Sequence, residues 1–163
     1  MAAETILITG GAGNLARQLA GKLAAAGSRV VLVDLADEPP AGSTGFAYAG
    51  ADVTEPGRLE VILPQERPDV VLHLASLLSS ASEADRSRAW RVNVDGAFLL
   101  FEAAVAAGVP TILKPPRRTP LTAIRLVELL YQSGLPAERP SVLVGDNATV
   151  SEPRISDPRG DLG

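Results

Sequence analysis

The segment Thr9-Gly10-Gly11-Ala12-Gly13-Asn14-Leu15-Ala16 carries the strongest chemical signal in the chain. Gly10 permits a tight turn, Gly13 lets backbone approach a pyrophosphate, and small Ala16 allows the following helix to pack closely on the preceding strand. Phosphates would rest on the start of that helix, near Asn14 and Leu15, where free N–H groups and the helix dipole favour anions. Asp34 closes the next apolar run, where a carboxylate can accept hydrogen bonds from ribose hydroxyls. The same carboxylate would repel a 2′-phosphate in a poorly screened pocket, so NAD is expected to bind in preference to NADP. The plainer alternative is a glycine-rich turn that holds no ligand.

These residues need a scaffold, and the flanking pattern supplies one. Thr5-Ile6-Leu7-Ile8-Thr9 reads as a buried strand; Leu15, Leu19 and Leu23 recur at helical spacing before Gly27; Arg29 to Asp34 reads as a second buried strand. A surface loop at Glu38–Ser43 precedes a weaker strand at Phe46–Gly50, and Pro56–Gln65 reads as a short helix with Pro in its first turn. Asp69–Leu74 is the fourth strand. Ser82-Glu83-Ala84-Asp85 has the form of a weakened capping box opening one long helix to Ala107, with Trp90, Val94, Ala97, Phe98, Phe101 and Val105 at helical spacing. Thr111–Leu113 is a brief fifth strand. Thr119-Pro120 starts a helix over Leu121–Gln132 that ends near Gly134, and Ser141–Gly145 is the sixth strand. Strands alternating with helices predict an α/β fold of Rossmann type, a three-layer doubly wound parallel sheet of order 3-2-1-4-5-6. One domain over 1–163 is expected, with an irregular tail at 147–163. Ligands in such sheets bind beyond the carboxyl ends of the strands, which puts residues 10–16 and the segment after Leu74 on two sides of one crevice.

Composition narrows the classes further. The 163 residues are 46% apolar but only 4% aromatic, which suits an aliphatic α/β core. A net charge of -4 predicts no nucleic-acid surface, and the absence of cysteine excludes disulfides, thiolate metal sites and a cysteine nucleophile. No metal site is expected. No run is long and apolar enough for a membrane span, and the start lacks a basic region before its short apolar stretch. The expectation is a cytoplasmic protein.

With those motifs in place, the chain resembles the extended short-chain dehydrogenase/reductases, the NAD-dependent epimerases and dehydratases, over about residues 4–109. The family fingerprint is Thr-Gly-Gly-x-Gly-x-x-Gly, with Ala16 here in place of the last Gly. Asp52-Val53 resembles the Asp-Val pair after the third strand, whose Asp lies near the adenine. His73-Leu74-Ala75-Ser76 resembles the His-Leu-Ala-Ala segment beside the cofactor ribose, and Asn93-Val94-Asp95-Gly96 resembles the Asn-x-x-Gly helix motif. The resemblance implies cofactor contacts at Gly10, Gly13, Asn14, Leu15, Asp34, Asp52, Val53, Leu74, Ala75, Ser76 and Asn93. Structural alternatives stand beside three of them: His73 as a satisfied core histidine, Asp52 as a cap for the turn before Pro56, and Asn93 bonded to a neighbouring carbonyl.

The family's catalytic set does not follow. A Ser or Thr after the fifth strand and a Tyr-x-x-x-Lys pair are implied, the Lys lowering the pKa of the Tyr that moves the proton. Here the fifth strand runs into Lys114-Pro115-Pro116-Arg117-Arg118-Thr119, Tyr48 precedes Asp52, and Tyr131 has Leu135 four residues on. Residues 112–163 instead resemble part of the aldehyde dehydrogenase coenzyme-binding domain, through Leu113-Lys114-Pro115, Thr119-Pro120-Leu121-Thr122-Ala123, Gly134-Leu135-Pro136 and Val144-Gly145-Asp146. That resemblance makes Lys114 a ribose contact; a solvated basic loop at Lys114–Arg118 is the alternative and the favoured one. The chain thus reads as a composite, epimerase-like over 1–109 and strand-helix-strand over 110–146. Three functions follow as alternatives. It is a dinucleotide-binding domain with weak or no catalysis, or an oxidoreductase or epimerase with an unrecognised proton donor among Ser76, Ser79, Lys114 and Thr119, or a structural module that dimerises through helices 83–107 and 121–132.

Overall fold

The computed structural model describes residues 3–39, 41, 43, 45–77, 79–109, 111–113, 121–134 and 140–142. They fall into two compact units, Met1–Pro110 and Thr111–Gly163. The first holds strands β1 (Thr5–Thr9), β2 (Arg29–Asp34), β3 (Ala47–Gly50) and β4 (Val70–His73). Its helices are α1 (Asn14–Ala25), α2 (Arg58–Glu66), α3 (Ser79–Ala84), α4 (Arg86–Trp90), a π-helical turn over Arg91–Asp95, and α5 (Gly96–Ala107).

The four strands are all parallel in the order β3-β2-β1-β4. Alternation along β1 and β2 sorts the side chains onto two faces. Ile6, Ile8, Val30 and Leu32 are buried with Ala16 and Ala20 of α1. Leu7, Val31 and Val33 are buried on the other face with Leu59 and Leu63 of α2 and with Leu100, Ala103 and Ala104 of α5. Two aliphatic layers around one sheet form the three-layer arrangement that composition and pattern predict.

The register sets where chemistry can occur. Thr9 lies beside Val33 of β2 and His73 of β4, and Asp34 lies beside Gly50 of β3. The carboxyl ends of the strands therefore finish at one edge of the sheet.

The second unit contains β5 (Thr111–Leu113), α6 (Leu121–Gln132) and β6 (Pro140–Val142), with β5 and β6 parallel. The described residues thus carry two parts of the predicted order, 3-2-1-4 in the first unit and 5-6 in the second. The Lys114–Arg118 loop, Thr119, Gly145 and the 147–163 tail lie outside the described residues.

The long helix expected from Glu83 to Ala107 is broken instead. Asp85 leaves helical geometry, at φ -142° and ψ 89°, and its carboxylate accepts from the Arg88 N–H at 2.9 Å. Asp85 is thus an N-cap for α4, and Ser82 does not cap; its hydroxyl donates to the Leu77 carbonyl at 2.9 Å. The apolar stripe along this segment is also not all core, because Trp90, Val94 and Phe98 are exposed.

Candidate functional site

The glycine-rich turn is built into the end of the sheet by its own backbone. Gly11 N–H donates to the Val33 carbonyl at 3.0 Å, and Gly13 N–H donates to the Gly10 carbonyl at 2.9 Å. Gly10 has φ +71°, and a Cβ there would lie 2.7 Å from the Ala75 nitrogen and 2.8 Å from the Leu74 carbonyl carbon. Only glycine supplies both the dihedral and the space. The turn and the segment after β4 are thereby in direct backbone apposition. Gly13 is the N-cap of α1, without a side-chain cap and with no acidic residue in the first turn. The start of the helix is left suited to an anion.

Asp34 closes β2 beside this turn. One carboxylate oxygen accepts from the Ala12 N–H at 2.8 Å, and the other accepts from the Leu35 N–H at 2.7 Å. Each oxygen retains a lone pair for a further donor. The Tyr48 hydroxyl donates to the Ala36 carbonyl at 2.7 Å and holds the strand extension. Burial pushes the Tyr48 phenol pKa up, and the nearby carboxylates of Asp34 and Asp37 add to the effect.

Under the opposite wall, buried Thr9 ties β1 to β4. Its hydroxyl lies 2.7 Å from Nδ1 of His73 and takes a longer contact, 3.4 Å, from the Ala75 N–H. Burial lowers the His73 pKa, so the neutral ring is the favoured form, and its Nδ1 and the Thr9 hydroxyl share one hydrogen bond whose direction follows the ring tautomer. Half-buried His73 is thus tied to β1 through Thr9, which holds the wall in place.

A cleft of about 310 Å³ lies along this edge. It gathers Gly10 and Gly13, Asp34, the Asp52-Val53 pair, and Leu74, Ala75 and Ser76, all of them positions marked by sequence. Asp52 also accepts from the Thr54 N–H at 2.8 Å, the capping role anticipated as its structural alternative. Three marked positions do not line the cleft. Asn14 and Leu15 form the first turn of α1, exposed, and Asn93 bonds both polar groups of Leu77. Its side-chain oxygen accepts from the Leu77 N–H at 2.8 Å, and its amide donates to the Leu77 carbonyl at 3.0 Å. Asn93 thus positions the wall after β4. Gly96 of the same motif is buried, and a Cβ there would meet Val53 at 2.9 Å, so the glycine allows α5 to start against the Asp52-Val53 wall.

The cleft also contains Arg88, Arg91 and Val92, which sequence reading passed over. The signal was present, since Arg88 and Arg91 sit three apart on one helical face directly ahead of Asn93. Of the proposed proton donors, Ser76 lines the cleft, Ser79 is the first residue of α3, and Lys114 and Thr119 lie outside the described residues. Among the described residues no cluster of three or more His, Cys, Asp or Glu side chains could hold a metal ion, and no helix is long and apolar enough to cross a membrane.

A model of the NAD dependent epimerase/dehydratase family matches residues 6–114. The chain belongs to this family. A model of the aldehyde dehydrogenase family matches residues 96–162, overlapping the first across α5 and β5. UDP-glucose 4-epimerase of Rhizobium leguminosarum bv. trifolii is 33% identical over 114 residues, 67% of this chain and 34% of that protein. Succinate semialdehyde dehydrogenase of Acinetobacter baylyi is 49% identical over 49 residues, 30% of this chain and 10% of that protein. The Bordetella bronchiseptica enzyme WbmG, solved in complex with NAD, is 27% identical with a TM-score of 0.57, covering 69% of this chain and 38% of its own. This member of the epimerase/dehydratase family thus spans about a third of the epimerase it matches and a tenth of the aldehyde dehydrogenase.

Proposed function

We propose that residues 1–109 form an NAD-binding domain and that this chain binds the cofactor with weak or no turnover. One observation carries the reading: the glycine-rich turn, Asp34, Asp52-Val53 and the segment after β4 converge on a single cleft at the carboxyl edge of the sheet. The residues fit the group. A helix start with no side-chain cap faces the pyrophosphate position, Gly10 keeps the turn against the wall, and Asp34 has acceptor capacity left for ribose hydroxyls. The NAD seen with WbmG and the NAD-dependent character of the family support the same choice. When bound, the nicotinamide would take up or return a hydride.

Weak turnover follows from what the sequence lacks. Moving a hydride from an alcohol carbon requires a group that removes the hydroxyl proton, and a positioned acid or base contributes about 10²–10⁴-fold. No Tyr-x-x-x-Lys pair occurs at either tyrosine. Ser76 supports the competing reading of an active enzyme because it lines the cleft, but a lone hydroxyl without a base is a poor proton acceptor. Residues 110–146, in this reading, are a strand-helix-strand piece of a second cofactor-binding fold. Dimerisation is a third proposal, supported by exposed Trp90, Val94 and Phe98 at four-residue spacing and by exposed Leu121 and Leu129 on α6.

Calorimetric titration with NAD, NADH and NADPH, followed by a turnover screen over sugar nucleotides and hydroxy acids, tests the proposal. Binding of NAD with rates orders of magnitude below an intact epimerase is expected. Absence of NAD binding would remove the cofactor assignment, and a robust rate on any substrate would remove the claim of weak catalysis.

A further inference from the structure

The cleft has a charge pattern that the glycine-rich turn does not explain. Its ionisable lining consists of two carboxylates, Asp34 and Asp52, and two guanidinium residues, Arg88 and Arg91. Asp34 already takes the Ala12 N–H at 2.8 Å, so the turn presents one amide fewer to an anion and a carboxylate stands at its edge. A nucleotide diphosphate entering here would meet two carboxylates, and its own negative charge would be unfavourable unless a cation faced it. The two guanidiniums are the cations in that lining, and among the described residues neither enters an ion pair.

Their placement is held by specific contacts. Asp85 caps α4 by accepting from the Arg88 backbone N–H at 2.9 Å. Three residues on, Arg91 begins the π-helical turn, and Asn93 within that turn fastens it to the backbone of Leu77 through two hydrogen bonds. The capped helix and the pinned turn therefore hold the backbone of both residues, which line the cleft with their side chains exposed and free to reach a ligand in it. Arginine suits this position, because its planar group serves phosphate oxygens bidentately and also stacks on an aromatic base.

We propose that Arg88 and Arg91 are nucleotide-binding residues that supply the positive charge of this cleft, and that adenine nucleotides bearing phosphate are held through them whether or not a nicotinamide is attached. The inference rests on the cofactor reading above and adds the residues that make the cleft attractive to an anion.

The test titrates the full chain and the variants R88Q/R91Q and R88K/R91K with NAD and with ADP, from about 0.05 M to about 0.5 M salt, a range over which exposed charge pairs are progressively screened. Circular dichroism and urea midpoints verify that the variants fold. The glutamine pair should weaken ADP and NAD binding by roughly tenfold or more and flatten the salt dependence, the size expected for losing charged contacts. The lysine pair should keep most of the affinity and the salt slope. Unchanged affinity and slope in R88Q/R91Q, with NAD still bound, would overturn this inference and leave the cofactor reading intact. A lysine pair as weak as the glutamine pair would overturn the charge role. No binding of either nucleotide by the unmodified chain would overturn the inference together with the reading it rests on.

Discussion

Replacing Gly10 by alanine is the sharpest test of how the turn and the wall depend on each other. The new Cβ would lie 2.7 Å from the Ala75 nitrogen, 2.8 Å from the Leu74 carbonyl carbon and 2.9 Å from the Ala75 Cα, all backbone atoms. Carbon contacts are comfortable at about 3.5–4.0 Å, so strand end and turn must separate by several tenths of an ångström. Overpacking of this kind costs about 1–3 kcal/mol. The φ of +71° adds about 1–2 kcal/mol for a residue with a Cβ. The sum is roughly 2–5 kcal/mol, a large part of a small domain's stability. Gly27 provides the control, because its φ is +97° and a Cβ there meets nothing within 4 Å. Gly27→Ala should therefore lose only the dihedral contribution. Urea unfolding of the full chain, followed by circular dichroism and by the single tryptophan, Trp90, reads both variants. With m of about 1–3 kcal/mol/M, Gly10→Ala should lower the midpoint by about 1 M or more, and clearly more than Gly27→Ala. Equal midpoints for the two variants would refute the close backbone contact as the reason for glycine at position 10.

Asp34→Ala should weaken NAD binding and narrow the gap to NADPH, and should also cost about 1–2 kcal/mol of stability through loss of the bond from Ala12 N–H; equal affinities of the unmodified protein for the two cofactors would remove the selectivity role. His73, the single histidine, has a lowered pKa in the fold, so below its unfolded value near 6.5 the unfolded chain binds the extra proton first. Stability should consequently fall as pH drops from about 6.5 toward the folded pKa, and H73Q should flatten that limb of a urea-midpoint profile. An unfolding profile identical in H73Q would contradict the burial of a neutral ring. Asn93→Ala should loosen the Leu77 segment, seen as faster amide exchange at Leu77, at a stability cost of about 1–2 kcal/mol for two partly solvated hydrogen bonds; unchanged exchange would refute its positioning role. Trp90→Asp with Phe98→Asp should shift a dimer to monomer in sedimentation without lowering the urea midpoint, and a monomeric unmodified chain would remove the dimer proposal.

The sequence by itself determined the parts of this protein that depend on local order. The run Thr5–Thr9, the glycines after it and Asp34 closing the next run specify strand, turn, helix and strand, because periodicity and glycine act over a few residues. Parallel alternation then places their carboxyl ends together, so half of the cleft's lining could be named in advance. Tertiary structure decided what depends on partners distant in the chain. Asp85, expected as the acidic member of a box capped by Ser82, became the N-cap itself where the helix broke, Asn93 became a positioning residue only when Leu77 came within reach, and His73 acquired its role from Thr9, 64 residues away. The parallel pairing of β5 with β6 belongs instead with what the sequence determined, because a strand-helix-strand pattern with a right-handed crossover already requires it, whereas these three contacts wait on residues that only folding brings together.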